Sequence, residues 1–221
     1  MSYFTIIISE PGLEGEVRMS NNFPNYLYTN PKYYESINFF GDCSEVYKII
    51  TSKNIDSYEI RENRMFVCAM TSKNLPAQGW KIHISANYEN ALPILELAVD
   101  ILTQRETSFK VIRNVETYLL TSGKPFPREQ YGKFITIYPG NDDEFLDLLH
   151  LLHSKLQGFD GPRILTDKRY KNSKVVHYRY GGFMPLCSYN SLGIPSYYIY
   201  DGNGNLFEDV RRPFYVLPPG F

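Results

Sequence analysis

The stretch that decides the fold is Trp80-Lys81-Ile82-His83-Ile84-Ser85-Ala86. Its residues alternate, with Ile82 and Ile84 on one side and Lys81 and His83 on the other. This two-residue period predicts a half-buried β-strand. The cation and the imidazole then share a face, where they could bind and protonate an anion. Taken alone, the spacing favours a simpler interpretation, a surface strand whose Lys81 and His83 face solvent.

Composition limits the classes of protein to consider. The chain has 221 residues, enough for one large domain with a buried core. Its formal net charge is −1, so bulk charge gives no sign of a nucleic-acid partner or an anionic membrane. The 19 tyrosines and 14 phenylalanines favour a β-rich structure. We see neither a signal peptide nor an apolar run of membrane-spanning length, which predicts a cytoplasmic protein.

Cysteines and histidines give no metal pattern. Cys43, Cys68 and Cys187 are far apart and form no CxxC pair, which is typical of reduced cytosolic thiols. His150 and His153 lie three residues apart on a predicted helix, but no cysteine or carboxylate pattern completes a zinc site. We therefore expect no metal and no cofactor.

Periodicity predicts an α+β fold with a mixed or antiparallel sheet and two main helices. The first helix covers 91–102, with Pro93 in its first turn, where a missing N–H costs little. The second begins after Asn141, which stands in capping-box spacing with Glu144. A short helix is predicted at 45–51. Strands are predicted at 3–9, 65–70, 80–86, 109–113, 117–120, 133–138 and 175–180, and a hairpin at 197–209.

Five ordered segments resemble the N-terminal lyase domain of class III and class IV lanthipeptide synthetases, which is similar to the phosphothreonine lyase effectors of bacterial pathogens. They are GWKIHISA at 79–86, FK at 109–110, GKFITIYP at 132–139, GPRILTDKRY at 161–170 and YRYGGF at 178–183. The resemblance implies a phosphothreonine-lyase-like fold. It also implies three parts: an N-terminal extension at 1–78, a catalytic lyase core at 79–183, and a C-terminal hairpin and linker at 184–221 that leads toward a kinase domain.

The reaction implied by the resemblance is β-elimination of phosphate from phosphoserine or phosphothreonine in a ribosomal precursor peptide. The products are dehydroalanine and dehydrobutyrine, formed during lanthipeptide biosynthesis. Such a reaction needs a base for the Cα proton, an acid for the leaving phosphate, and cations that hold a dianion. The implied partners are the phosphorylated precursor, with its leader and core, and the kinase and cyclase domains of a full-length synthetase. No nucleic acid and no membrane are implied.

The resemblance assigns the central catalytic roles. Lys110 matches the general base, and repulsion from nearby cations would favour its neutral amine. His83 matches the general acid, and a bound phosphate dianion would favour its imidazolium form. Lys81 would contact the phosphate or stabilise the enolate-like oxygen, and the sequence does not choose between these roles.

Other charged residues match substrate-binding positions. Arg128 and Arg179 match arginines that hold the phosphate, for which the bidentate guanidinium is suited. Asp167 matches an acidic position that orients a cation or the substrate amide. Tyr138 is a fourth catalytic candidate beside Lys110, His83 and Lys81, because it falls where the effectors carry a functional tyrosine. The remaining candidates, which would add phosphate contacts or are ordinary surface charges, are Lys133 and Arg169.

Two positions depart from the family pattern. The run Glu129-Gln130-Tyr131 stands where the synthetases carry small residues, which affects the loop that holds Arg128. Gly140 stands where the effectors have a lysine, so some phosphate contact must come from elsewhere.

Two functions other than catalysis fit the same sequence. The first is a peptide-binding module without turnover, which would hold a leader by strand addition or in an aromatic groove. The second is phosphopeptide recognition by Arg128 and Arg179, which leaves Lys110 without a role.

Overall fold

The computed structural model describes residues 4–7, 16–19, 43–63, 65–123, 126–193, 195–209, 212 and 214–221. Within these ranges, no helix has both the length and the apolar character needed to cross a membrane. The same residues contain no group of three or more His, Cys, Asp or Glu side chains arranged to hold a metal ion.

The described residues form four helices and twelve strands, with the two longest helices where the sequence predicts them. The helices are α1 (Ser44–Thr51), α2 (Ala91–Arg105), α3 (Val115–Thr121) and α4 (Asp142–Lys155). The strands are β1 (Phe4–Ile7), β2 (Glu16–Met19), β3 (Tyr58–Glu62), β4 (Phe66–Thr71), β5 (Gln78–Ile84), β6 (Ser108–Ile112), β7 (Ile135–Tyr138), β8 (Lys168–Arg169), β9 (Val176–Gly182), β10 (Leu186–Tyr189), β11 (Pro195–Tyr200) and β12 (Leu206–Glu208).

The main sheet has seven strands in the order β3-β4-β6-β7-β5-β9-β8, and every pair in it is antiparallel. A three-stranded sheet, β10-β11-β12, follows it in the chain, and β1 pairs with β2. The predicted α+β class with an antiparallel sheet is therefore confirmed. The predicted hairpin is also confirmed, because β11 pairs with β12.

One face of the main sheet packs against α2 and α4. Ile82, Ile84 and Ile137 on this face are fully buried in one apolar cluster with residues of both helices. At the edge of the cluster, the ring of Trp80 stacks on Phe145 of α4 at a centroid distance of 5.2 Å. Burial of each such side chain stabilises the fold by roughly 1.5–3 kcal/mol. Since strand side chains alternate, the residues between these positions lie on the opposite face.

The start of α4 follows the predicted capping pattern with one difference. Asn141 Oδ1 accepts a hydrogen bond from the backbone N–H of Glu144 at 2.9 Å. The Glu144 carboxylate accepts from the N–H of Gly140, at 2.7 Å, instead of from the N–H of Asn141. The local sequence therefore fixes where this helix begins.

The predicted strand at 117–120 is wrong, because these residues lie in α3. The Asn114 side chain caps this helix by accepting from the N–H of Thr117 at 2.8 Å. Tyr118 is buried and its hydroxyl donates to the carbonyl of Ala86 at 2.9 Å. An N-cap and tertiary burial thus outweigh the strand propensity of a short run.

Candidate active site

A single row of side chains crosses the main sheet on the face opposite α2 and α4. Directly opposite residues of antiparallel strands point to the same face, so the register alone defines this row. Lys110 and His83 both pair with Thr136 of the strand between them, which puts their Cα atoms about 10 Å apart. The row, called the central row below, consists of Cys68, Lys110, Thr136, His83, His177 and Arg169.

Strand β5 brings His83 to a buried carboxylate from a distant part of the chain. His83 is 4% exposed, and its Nδ1 lies 2.5 Å from Oδ2 of Asp167. Asp167 is the last residue of a turn at 164–167 and is itself buried. Its Oδ1 accepts a hydrogen bond from the hydroxyl of Thr166 at 2.6 Å. This pairing places the Nδ1 proton toward the carboxylate and leaves Nε2 as the second functional nitrogen.

Lys133 completes the charged cluster around this pair. Its Nζ lies 3.5 Å from Oδ1 of Asp167, and its side chain is 7% exposed. Lys133 enters from the loop before β7, whose Phe134 N–H donates to the carbonyl of Ile84 at 2.9 Å. One buried carboxylate is therefore shared between an imidazole and an ammonium.

Burial controls the protonation of this cluster. Burial lowers the pKa of His83 to about 3, with Lys133 and Lys81 acting in the same direction and Asp167 opposing them. Burial alone would raise the pKa of Asp167, but its pairing with His83 and Lys133 holds that pKa far below its usual range. Asp167 is therefore ionised, and His83 is neutral in the free chain.

A second row of candidate residues lies beside the central row on the same face. Lys81 faces Arg179 across β5 and β9, and each is two residues from a histidine of the central row. The Lys81 Nζ donates to the carbonyl of Gly182 and lies 5.8 Å from the ring centroid of Tyr138. Tyr138 in turn packs edge-on against Phe183 at 5.3 Å. The structure thus brings Lys81, Tyr138 and Arg179 together next to His83.

Lys110 lies on the other side of Thr136 from His83. Its side chain is half-buried, and its Nζ lies 4.2 Å from the ring centroid of Phe66. Strand β4 also places Cys68 directly opposite Lys110. The aromatic ring keeps the amine on the face that carries His83.

Two of the predicted phosphate-binding residues are less closely associated with this group. Arg128 is exposed in the turn before β7, and its side chain makes no hydrogen bond or ion pair with the described residues. Arg169 is exposed on the edge strand β8, opposite His177 and two strands away from His83. Both therefore lie at the margin of the cluster.

Sequence reasoning missed two residues of this region. His177 is fully buried beside His83, its Nε2 has no hydrogen-bond partner among the described groups, and burial lowers its pKa to about 4. Asp209 pairs with Nη2 of Arg179. The signal for His177 was its two-residue spacing from Arg179 on a predicted strand, whereas no local pattern pointed to Asp209.

The arrangement provides acid–base groups and anion-binding groups on one face. Lys110 and His83 flank Thr136, and Lys81 and Arg179 add positive charge beside His83. Such a face can hold an anionic substrate between two groups that exchange protons.

The chain is similar to known proteins in both sequence and structure. A model of the family described as "RamC, N-terminal domain" matches residues 47–221. The "Probable SapB synthase" of Streptomyces coelicolor is 37% identical over 147 residues, which are 66% of this chain. The chain spans 16% of the length of that relative.

Among solved structures, the phosphothreonine lyase SpvC, an effector protein from Salmonella, matches with a TM-score of 0.47 and 16% identity, covering 72% of this chain and 87% of that one. The type III effector and phosphothreonine lyase OspF from Shigella flexneri matches with a TM-score of 0.44 and 20% identity, covering 72% and 86%.

Proposed function

Because the chain belongs to the RamC N-terminal domain family, we propose that it is a lyase domain that eliminates phosphate from phosphoserine or phosphothreonine. The proposed substrate is a phosphorylated ribosomal precursor peptide, and the proposed partners are the kinase and cyclase domains of a lanthipeptide synthetase. The observation that carries the proposal is that Lys110 and His83 share a face with only β7 between their strands. Lys81 and Arg179 lie in the adjacent row.

The reaction begins at the substrate Cα. The neutral amine of Lys110 removes the Cα proton, and negative charge develops on the adjacent carbonyl oxygen. The electron pair then forms the Cα–Cβ double bond as the Cβ–O bond to phosphate breaks. Lys81 contacts the phosphate or the developing enolate oxygen.

His83 acts on the leaving group. Its Nε2 protonates the bridging oxygen of phosphate, while Nδ1–H stays bound to Asp167. Because the pKa of His83 is low in the free chain, the phosphate dianion must supply the charge that favours its protonation. The products are dehydroalanine or dehydrobutyrine and inorganic phosphate.

The other candidate residues hold the substrate. Arg179 and Arg128 bind phosphate oxygens. The exposed side chain of Arg128 would reach the phosphate from the turn before β7. Lys133 holds Asp167 ionised. Tyr138 shapes the site beside Lys81, and Arg169 extends the positive surface toward β8.

Mass spectrometry of a phosphorylated precursor peptide tests the proposal. Loss of the elements of phosphoric acid is expected, whereas free phosphate with a restored hydroxyl would indicate a phosphatase. Lys110→Ala should abolish elimination yet keep phosphopeptide binding. Lys174→Ala, which removes an exposed lysine paired with Asp160, is the matched control and should retain activity. Full elimination by Lys110→Ala would refute the assignment of the base.

Peptide binding without turnover is the second candidate, because the small sheet exposes large apolar side chains. Tyr189 of β10 is 69% exposed and Leu206 of β12 is 58% exposed. Exposed aromatic and aliphatic groups beside an open strand edge suit an extended peptide. Leader affinity that is unchanged by Ala at Lys81, His83 and Lys110, without elimination by the intact chain, would favour this function.

A further inference from the structure

The ion pair between Arg179 and Asp209 joins the main sheet to the small one. Nη2 of Arg179 donates to Oδ1 of Asp209, and the two side chains are 12% and 9% exposed. Asp209 follows β12, and its backbone N–H donates to the carbonyl of Tyr197 at 2.8 Å. The β11–β12 hairpin therefore presents a half-buried carboxylate to a cation of the candidate active site.

The side chain of Arg179 extends along β9 toward Gly181, away from His177. Its Nε donates to the carbonyl of Tyr180 at 3.3 Å. A Cβ atom on Gly181 would lie 3.4 Å from Nη2 of Arg179 and 3.5 Å from Oδ2 of Asp209. The guanidinium of Arg179 and the carboxylate of Asp209 therefore lie together beside Gly181, at one end of the site.

Lys81 extends in the same direction as Arg179. It faces Arg179 across the two strands, and its Nζ donates to the carbonyl of Gly182. Both cations beside His83 are therefore engaged by acceptors of the chain itself. A substrate anion held next to His83 would compete with these acceptors for the N–H donors of Lys81 and Arg179.

We propose that Asp209 is a specificity-determining residue, an internal carboxylate that a substrate must displace from Arg179. This inference rests on the proposed function, in which Arg179 binds the substrate phosphate. Guanidinium donates through the same N–H groups to carboxylate and to phosphate oxygens. Because Asp209 already accepts from Nη2 of Arg179, the two anions compete for that donor.

The competition favours phosphate over acidic side chains. A phosphate monoester carries close to two negative charges at neutral pH and three acceptor oxygens, whereas an aspartate or glutamate carries one charge. A carboxylate of the peptide would therefore replace the carboxylate of Asp209 with another group of the same charge, and the binding free energy would change little. A phosphate brings a second negative charge to Arg179 and binds more strongly. Asp209 therefore lowers the affinity for acidic peptides more than the affinity for phosphopeptides. Specificity then comes from an interaction that competes with the wrong ligand.

Peptide affinities of the whole chain test this proposal. Two peptides differ at one position, which carries either glutamate or a phosphonate analogue of phosphoserine. In the analogue a CH2 group replaces the ester oxygen, so it has no Cβ–O bond that elimination could break. The unmodified chain should strongly prefer the phosphonate peptide. Asp209→Asn should bind both peptides more tightly but gain more for glutamate, so that the affinity ratio falls roughly tenfold.

Two further variants separate charge from general disturbance of the hairpin. Asp201→Asn, in the turn of the same hairpin, keeps an oxygen that accepts from the N–H groups of Asn203 and Asn205, and should leave the ratio unchanged. Asp209→Glu restores the negative charge and should restore the discrimination. A weaker phosphonate complex of Asp209→Asn with an unchanged ratio would overturn the proposal, since Asp209 would then only orient Arg179.

The unmodified chain supplies a test that does not depend on folding of a variant. With arginine labelled by nitrogen-15, the side-chain signal of Arg179, assigned with Arg179→Lys, should shift when the phosphonate peptide saturates the site. A signal that stays in place refutes the exchange. Elimination by the unmodified chain is measured in parallel. If the chain is active but Asp209→Asn leaves the affinity ratio of the two peptides unchanged, only the role of Asp209 is rejected. Absence of both elimination and binding rejects the proposed function as well.

Discussion

His83 and Asp167 form a buried pair in which Nδ1 of the imidazole lies 2.5 Å from a carboxylate oxygen. The two residues are 84 positions apart in sequence and meet because the turn at 164–167 covers β5. The carboxylate fixes both the orientation of the ring and the nitrogen that carries the proton. The chemistry proposed for His83 therefore depends on Asp167.

Asp167→Asn is expected to lower the elimination rate by roughly 10–100-fold, by analogy with the loss of other groups that orient a functional histidine. The amide no longer stabilises the imidazolium or the correct tautomer, whereas affinity for the phosphonate peptide should change less. Steady-state kinetics and binding titrations measure the two effects. Asp160→Asn, at an exposed ion pair, is the control. An unchanged elimination rate would contradict the proposed role of the pair.

Substrate binding is expected to protonate His83. Burial holds its pKa at about 3 in the free chain, so at pH 7 the ring is neutral. A phosphate dianion beside Nε2 raises the free energy of the neutral form relative to the imidazolium. Nitrogen-15 spectra of labelled histidine should show one protonated ring nitrogen in the free chain and two in the phosphonate complex. A ring that remains neutral in the complex would exclude His83 as the acid.

Acid should destabilise the fold through His177. Its pKa is about 4 in the folded chain and near 6.5 when unfolded, so between these values the unfolded state binds more protons. The free energy of unfolding therefore falls as pH decreases through this window, by at most about 1.4 kcal/mol per pH unit for one histidine. Urea unfolding at pH 7, 6 and 5 measures the slope.

His177→Gln should make this slope shallower, because the titrating group is gone. His83 adds a decrease of its own, since its pKa is also lowered. Asp167 acts in the more acidic range below its unfolded pKa of about 3.9, so it does not affect the window. Identical slopes for the variant and the unmodified chain would show that His177 is not the source.

Tyr118→Phe is expected to lower the free energy of unfolding by about 1–3 kcal/mol. The hydroxyl accepts from the N–H of Ala86 at 3.1 Å and contacts the carbonyls of Ala86 and Gly132, so its loss leaves buried groups unpaired. Chemical denaturation measures the effect. Tyr88→Phe, at a residue that is 63% exposed, should cost far less. Equal effects would mean that these hydrogen bonds contribute no net stability.

Features set by neighbouring residues could be predicted from the sequence. The helix at 142–155 depends on Asn141 and Glu144, which lie within one turn of its start. The strand β5 follows from the alternation of Lys81 to Ile84. The helix at 115–121 is not predicted, because a short run with apolar residues fits either a strand or a helix. The feature that favours the helix is the cap formed by Asn114.

Features set by distant residues could not be predicted in this way. The strand order of the main sheet places β5 between β7 and β9, and only this register brings Lys110 and His83 to one face. The family resemblance predicts that the two residues act together, whereas no local pattern does. The contacts of Asp209 with Arg179 depend on how the hairpin packs against the sheet, and no residue pattern encodes that packing.

The central row takes each functional side chain from a different strand, and this limits how the protein can change. Deleting one residue within β7 would turn Thr136 and Tyr138 toward α2 and α4, and would bring apolar side chains to the reactive surface. An insertion or deletion inside one of these strands would therefore remove functional side chains from the central row, in natural and in engineered variants alike. New substrate preferences must come from point replacements or from the connecting segments around 126–133, 160–167 and 209.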